Sequence, residues 1–361
     1  MLKNISLLVL STLILSACGV AKVAMYRGGP ANLGIYDNQP LTSMHAIQWQ
    51  TDSGAPVDTP PLRSNGTLYA GNSMGRLLAL DSADGKEIWH FDAASALSGA
   101  PAASSSRVYI GSHNGKLYAL DSQSGLALWS YDNAAAITTS IKLFQGTLYF
   151  GTQGGKLLAV DEASGKAVWE NRGASPIFAT PAISANYVVY GNNAGKLKAL
   201  QRADGKQVWE LQAGDAIQGA PAIDGETLFA TSRDGSLYAV DLASGTELWR
   251  YRAGGPIISA PAVTSTTVLF GSEDGHLYAI DRRSHRAVWK YRTEHWLNAA
   301  PVVVHEAVYI GGFDKALHAV DIRTGKQLWQ VGTGGPIAAQ VEVGDGVVYT
   351  GSRDGKFYAI R

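Results

Sequence analysis

Eight tryptophans, Trp49, Trp89, Trp129, Trp169, Trp209, Trp249, Trp289 and Trp329, follow one another at a step of 40 residues without an insertion. A fixed period of this length demands that every unit be the same supersecondary element, stacked on its neighbours to bury a shared core. Other positions keep the step. Ala79 recurs in all eight units as far as Ala359, and Leu77 continues to Leu317 before Phe357 takes its place. Gly71 recurs through Gly351 with Thr231 as the one departure, and only Trp296 stands outside the tryptophan series.

Each unit reads as four short strands. In one, Pro261 to Thr264 opens an inner strand and Val268-Leu269-Phe270 makes a second. A turn at Asp274-Gly275 leads to His276-Leu277-Tyr278-Ala279-Ile280, and Ala287 to Tyr291 form the fourth. Asp-Gly and Asn-Gly pairs between alternating apolar runs are hairpin signals, and the β-branched and aromatic residues suit a buried sheet. No stretch after residue 18 carries sustained helical periodicity.

The ends set the count. Hairpins of second and third strands occur eight times, but the first fourth-strand sequence, Ile47-Gln48-Trp49-Gln50, precedes every hairpin, and the chain stops at Arg361. The sequence therefore predicts an all-β fold: an eight-bladed β-propeller of four-stranded antiparallel blades, its ring closed by the N-terminal strand completing the C-terminal blade. Closure leaves only short sheet edges.

Composition agrees and excludes other classes. A hydrophobic fraction of 46% with 17% charged residues fits a heavily cored globule and not a disordered chain. Thirty basic residues balance thirty acidic ones, so no net field attracts nucleic acid or anionic lipid. Cys18 is the one cysteine, which rules out disulfides and cysteine-based metal centres. No H-E-x-x-H, G-x-S-x-G, P-loop or G-x-G-x-x-G motif occurs.

The N-terminus reads as an address. Lys3 precedes an apolar run from Ile5 to Leu15 that is too short to span a bilayer. Leu15-Ser16-Ala17-Cys18 resembles the bacterial lipobox, which implies cleavage before Cys18 and lipidation of that residue. Gly19, where an Asp would imply inner-membrane retention, implies the outer membrane by the same resemblance. The expected organisation is a signal peptide over 1–17, a lipidated tether and lead-in over 18–44, and the propeller over 45–361.

The stretch Ala79-Leu80-Asp81-Ser82-Ala83-Asp84-Gly85-Lys86-Glu87-Ile88-Trp89 resembles the tryptophan-docking motif of PQQ-like propellers, and seven copies run from Ala79 to Ala319. Gln201 replaces Asp in one copy and His285 replaces Gly in another. Arg27 to Gly34 resembles the lead-in found before many such propellers. The eight periodic tryptophans are thus expected to be structural docking residues between blades. Catalytic members of this family bind pyrroloquinoline quinone and calcium, with an adjacent cysteine pair in many cases and insertions between blades. This chain has neither, so no cofactor is expected, neither PQQ nor calcium, and no enzymatic activity. Asp234, Asp274, Asp314 and Asp354 are read as hairpin residues in place of metal ligands.

In a repeat array, function is sought where one unit departs from the others. The loop Glu294-His295-Trp296-Leu297-Asn298 stands where other units carry small residues or proline, and the next hairpin reads Phe313-Asp314-Lys315 in place of Asp-Gly. Propeller geometry brings both loop types to one face, so His295, Trp296, Asn298, Phe313 and Lys315 are the candidate partner- or ligand-binding residues. Phe178 and Gln218 are expected to line the same funnel, with Arg233 and Arg353 on its rim. The same composition also suits a plug filling the funnel mouth.

An eight-bladed propeller behind a lipobox is similar to the BamB family of outer-membrane assembly lipoproteins. The resemblance implies a non-catalytic, monomeric propeller working within a complex as a protein-interaction scaffold. Its partner would be an envelope protein, such as the outer-membrane barrel-assembly machinery. The lipid would hold it at the periplasmic face of the outer membrane, with no nucleic-acid partner. The alternative is a small-ligand binder or divergent PQQ-dependent quinoprotein that uses the central funnel.

Overall fold

A computed structural model describes residues 23–44 and 46–361; the signal segment and Cys18 lie outside the described residues. The ring is built from eight four-stranded antiparallel sheets. In the first blade the strands are Leu62–Ser64, Thr67–Gly71, Arg76–Asp81 and Glu87–Asp92, counted outward from the central channel. Asn65 and Gly66, both at positive φ (51° and 81°), form the tight first turn that an Asn-Gly pair favours. Second and third strands are buried on both faces, while fourth strands expose every other residue. The eighth blade takes Glu342–Gly344, Val347–Gly351 and Lys356–Ile360 from the C-terminus and Ile47–Asp52 from the N-terminus, as the sequence predicts. Ala46 and Arg361 close the seam with a reciprocal pair of backbone hydrogen bonds (2.7 and 3.0 Å).

The tryptophans dock as the period implies. Six of the indoles lie under the outer turn of the next blade, where a glycine gives them room, and Trp249 meets His285 at that turn. A Cβ on Gly85 would come within 2.5 Å of the Trp49 ring, and one on Gly245 within 2.6 Å of Trp209. The indole N–H donates to the backbone carbonyl of the residue that follows the turn aspartate: Trp89 to Ser122 (3.0 Å), Trp209 to Leu242 (2.8 Å), Trp289 to Ile322 (2.8 Å). Trp329 has no following blade turn and donates to Leu41 instead (2.8 Å), tying the lead-in to the seventh blade. Trp129 and Trp249 lack this bond among the described residues, and the Trp129 indole nitrogen is buried without a partner.

The lead-in, which the sequence places ahead of the propeller, lies inside it. Residues 24–36 cross the channel and pair with the inner strands in turn. Ala24 bridges Ala103, and the carbonyls of Pro30, Ala31, Leu33 and Gly34 accept from Ile183, Ile223, Val263 and Val303 (each 2.9 Å). At the axis Arg27, only 1% exposed, donates to the Asn32 carbonyl (2.9 Å), Gln340 Oε1 (3.1 Å) and the Pro261 carbonyl (2.5 Å). Asn32 Nδ2 reaches the carbonyls of Pro181 (3.1 Å) and Pro221 (3.0 Å). Buried Lys142 in the third blade donates to the carbonyls of Tyr26 and Gly29. Inner-strand ends expose carbonyls toward the axis, and the plug supplies donors for them. Arg27 adopts φ 60° and Gly28 φ 74°, the turn that lets the segment reverse inside the channel.

Candidate functional site

One face of the ring gathers two loop types. The loop between second and third strands receives a backbone bond to the loop entering its own blade, repeated around the ring; in the seventh blade this is Phe313 N–H to the Trp296 carbonyl (3.1 Å). That bond brings the two departures from the repeat together. The His295 and Trp296 rings meet edge to face at 5.1 Å, and Phe313 lies 6.2 Å from each. Trp296 is 48% exposed, and the equivalent position in other units is Pro or Ala, whose small side chains leave nothing projecting. The Arg353 guanidinium covers Phe313 at 5.2 Å while its Nε donates to Asp58 (2.7 Å). Arg353 is therefore part of the aromatic cluster, a role its sequence position on the rim did not single out.

The other candidates separate. Lys315 is exposed on the hairpin tip with φ 65°, where seven units have glycine, and the described contacts involve only its carbonyl, which accepts from Thr333 N–H (2.7 Å). Phe178, Gln218 and Asn298 lie deeper, in the funnel wall with Tyr26 of the plug and an empty volume of ≈ 560 Å³. They occupy the same place in three different units, a ring that also includes Asp58, Ser98 and Thr138. The period of 40 could have found this ring directly, since positions 58 to 338 are its members. Gln218 Nε2 is held by Asn193 (2.7 Å), whereas Asn298 Oδ1 and Thr138 Oγ1 are buried without partners among the described residues. Arg233 stands 4.0 Å from Glu273, away from the aromatic cluster.

The hairpin aspartates are structural. Asp234 Oδ2 accepts from Tyr238 hydroxyl (2.5 Å) and Gly214 N–H (3.0 Å), and Asp354 repeats this with Tyr358 and Gly334. Burial pushes the Asp234 carboxyl up, but these donors outweigh it and hold the group below its ordinary value. In the seventh blade His318 replaces the tyrosine: its Nε2 lies 2.9 Å from Asp314, and its Nδ1 lies 3.0 Å from the Tyr291 hydroxyl. This chain begins at Asp314, next to Phe313 of the aromatic cluster, and is not among the residues that the sequence singles out. The signal was there, as histidine at a position that is tyrosine in four other units.

Solved structures describe the same architecture. BamB from Moraxella catarrhalis superposes with a TM-score of 0.77 at 21% identity, covering 88% of this chain and 99% of that one. The computationally designed Ika8 protein gives 0.77 at 19% identity, over 89% of this chain and 99% of that one. Quinohemoprotein alcohol dehydrogenase from Comamonas testosteroni gives 0.78 at 16% identity, over 93% and 80%. At these identities the likeness concerns the fold alone. No curated protein matches the chain by sequence.

The dehydrogenase likeness raises the question of a quinone–calcium pair, and the funnel residues do not fit one. The axis below the funnel is filled by Tyr26, Arg27 and Asn32 of the chain itself. Among the described residues Asp58 is the one carboxylate in the funnel wall, and Arg353 already engages it, whereas calcium takes six to eight oxygen ligands. Among the described residues no three His, Cys, Asp or Glu side chains converge to hold a metal ion. No helix among them is long and apolar enough to cross a membrane. A family model described as outer membrane protein assembly factor BamB matches residues 45–195 and again 193–361, so the chain belongs to that family.

Proposed function

We propose that the protein is a non-catalytic interaction scaffold that serves the assembly of outer-membrane β-barrel proteins. In this reading a lipid on Cys18 holds it at the periplasmic face of the outer membrane, as a single propeller within a larger complex. Family membership supports the assembly role. One observation carries the non-catalytic part: the channel is filled by the chain's own Arg27–Asn32 stretch, while the aromatic cluster of His295, Trp296 and Phe313 faces outward on the rim. A reaction centre on the axis would need the space the plug occupies. Exposed aromatics beside an arginine have the composition of an interaction hot spot.

The test is in-cell photocrosslinking from position 296, with recovery of the outer membrane and identification of the captured protein. Capture of the barrel-assembly machinery supports the reading. Absence of capture, with intact protein in the outer membrane, removes the rim as its interface. Thermal stabilisation of the purified protein by PQQ with Ca²⁺ would overturn the non-catalytic reading, since a ligand bound only by the native state raises stability.

A further inference from the structure

At the end of the channel opposite the funnel, the plug leaves a gap against the first and eighth blades. Its incoming limb (Val23 to Gly28) and outgoing limb (Ile35 to Asn38) enclose a cavity with the ends of the inner strands at Arg63 and Glu342 to Gly344. The cleft is open on one side, and its space, with the solvent at its mouth included, amounts to ≈ 950 Å³. Glu342 is 7% exposed and lines this space.

The repeat makes the residue conspicuous. Glu342 opens the inner strand of its blade, and the equivalent positions 62, 102, 182, 222, 262 and 302 are Leu, Ala or Val. The one other charged member is Lys142, which the plug satisfies with two carbonyls. Glu342 is offered less: the Tyr36 hydroxyl at 3.3 Å is its one side-chain hydrogen-bond partner among the described residues, with the backbone N–H and the charge of Arg63 also favouring its carboxylate. That hydroxyl donates to Glu342 and accepts from Gln340 Nε2 (3.1 Å), whose Oε1 in turn accepts from Arg27. Arg63, the nearest basic group on the cavity wall, is turned to Asp345 (2.5 Å). Asp37 adds a second carboxylate at the mouth, almost fully exposed. An ionised carboxylate has acceptor sites beyond those two donors, so a buried carboxyl facing space gains from a cation that donates to the rest.

We propose that the Glu342 cavity is a binding site for a small ligand carrying an ammonium group. The ammonium donates to the Glu342 carboxylate beside Tyr36, and the rest of the ligand fills the space between the plug limbs and Arg63. Burial pushes the Glu342 carboxyl up to about 8, so the empty site holds a proton at neutral pH. Binding a cation displaces that proton. The affinity therefore rises with pH, about tenfold per unit, and levels off above about 8.

A free polyamine and an ethanolamine headgroup share this chemistry, so putrescine and O-phosphoethanolamine are titrated in parallel against the full-length protein by calorimetry. Saturable binding of either, with the stated pH slope and at least about tenfold weakening in E342Q, supports the proposal; which of the two binds names the source. Glu342→Gln keeps the shape and the Tyr36 contact, and its thermal midpoint reports whether it folds. Lys22 precedes Val23 of the incoming limb in the sequence, so K22A is measured alongside. Binding only in K22A would assign the site to the chain's own ammonium and overturn the proposal. Absence of binding by both probes up to ~10 mM, or binding unchanged in folded E342Q, overturns it as well.

Discussion

The imidazole of His285 lies flat on the indole of Trp249, ring centroids 4.6 Å apart and the planes within 16° of parallel. His285 stands at the turn position where Trp49, Trp89, Trp129, Trp169, Trp209 and Trp289 meet glycine, and it keeps the glycine-like backbone at φ 59°. The stacked ring offsets the strain of a non-glycine residue in the left-handed region. H285A keeps the strain and loses the stack, so it should lower stability by about 1 kcal/mol. H285G loses the stack but relieves the strain, and should fall within about 0.5 kcal/mol of the parent. Urea midpoints of the three proteins decide this; an unchanged H285A would mean that the stack contributes nothing, and equal losses in both variants would mean that the left-handed backbone at 285 stores no strain.

Trp209 gives the strength of the docking contact. It is 8% exposed, with its N–H bonded to Leu242 and its ring against Gly245. W209A should cost about 3–5 kcal/mol, the range for truncating a buried aromatic. Its neighbour Val208, 41% exposed on the outer strand, should change stability by no more than about 0.5 kcal/mol when replaced by Ser. Thermal or urea unfolding of both separates the docking contact from the strand that carries it.

The plug should be part of the folding unit. Replacing Arg27 by Met strips donors from Gln340 and from two carbonyls at the axis, leaving buried acceptors unpaired. A loss of about 2–4 kcal/mol is expected. Hydrogen exchange supplies the local readout: the Ile183, Ile223 and Val263 amides, which donate to plug carbonyls, should lose protection in R27M. Unchanged protection would show the plug to be seated without Arg27.

Glu342 sets a pH dependence whose sign is opposite to that of a salt-bridged acid. Its carboxyl is raised from 4.5 to about 8 by burial, so between these values the native state holds a proton that the unfolded chain has released. Stability should decline as pH rises through that window, by up to about 1.4 kcal/mol per unit, and level off above it. E342Q lacks the group. Its stability relative to the parent should improve from about pH 5 to about pH 8 and then hold steady, measured by urea unfolding in matched buffers. A constant difference across that range would mean that Glu342 is solvated in the native state.

Trp296 should be dispensable for the fold. It is half exposed and touches His295 and Phe313 at the rim, so W296A should change stability by about 0.5 kcal/mol or less. With the photocrosslinker moved to exposed position 315, the same substitution should abolish capture of the partner. A large drop in thermal midpoint would instead make the cluster a structural plug of the rim.

The ring is legible in residue order alone. Trp49 to Trp329, the turn glycines and the inner alanines repeat at one step, and a repeat can bury its apolar faces only against copies of itself. Blade count and closure by Ile47–Asp52 follow from where the repeats begin and stop, and the meeting of Trp296 with Phe313 follows from which loops share a face. The filling of the channel lies off the period and becomes visible only in the folded ring. Arg27, Asn32 and Tyr36 belong to no repeat, so no spacing marks them as the filling of the channel. Lys142 and Glu342 look in the sequence like isolated charges on inner strands, and become meaningful only when eight strand ends converge on one axis. Contacts along a blade are local and periodic, hence legible from residue order. Contacts at the axis join one unrepeated segment to many blades at once, and their partners are set by the closing of the ring.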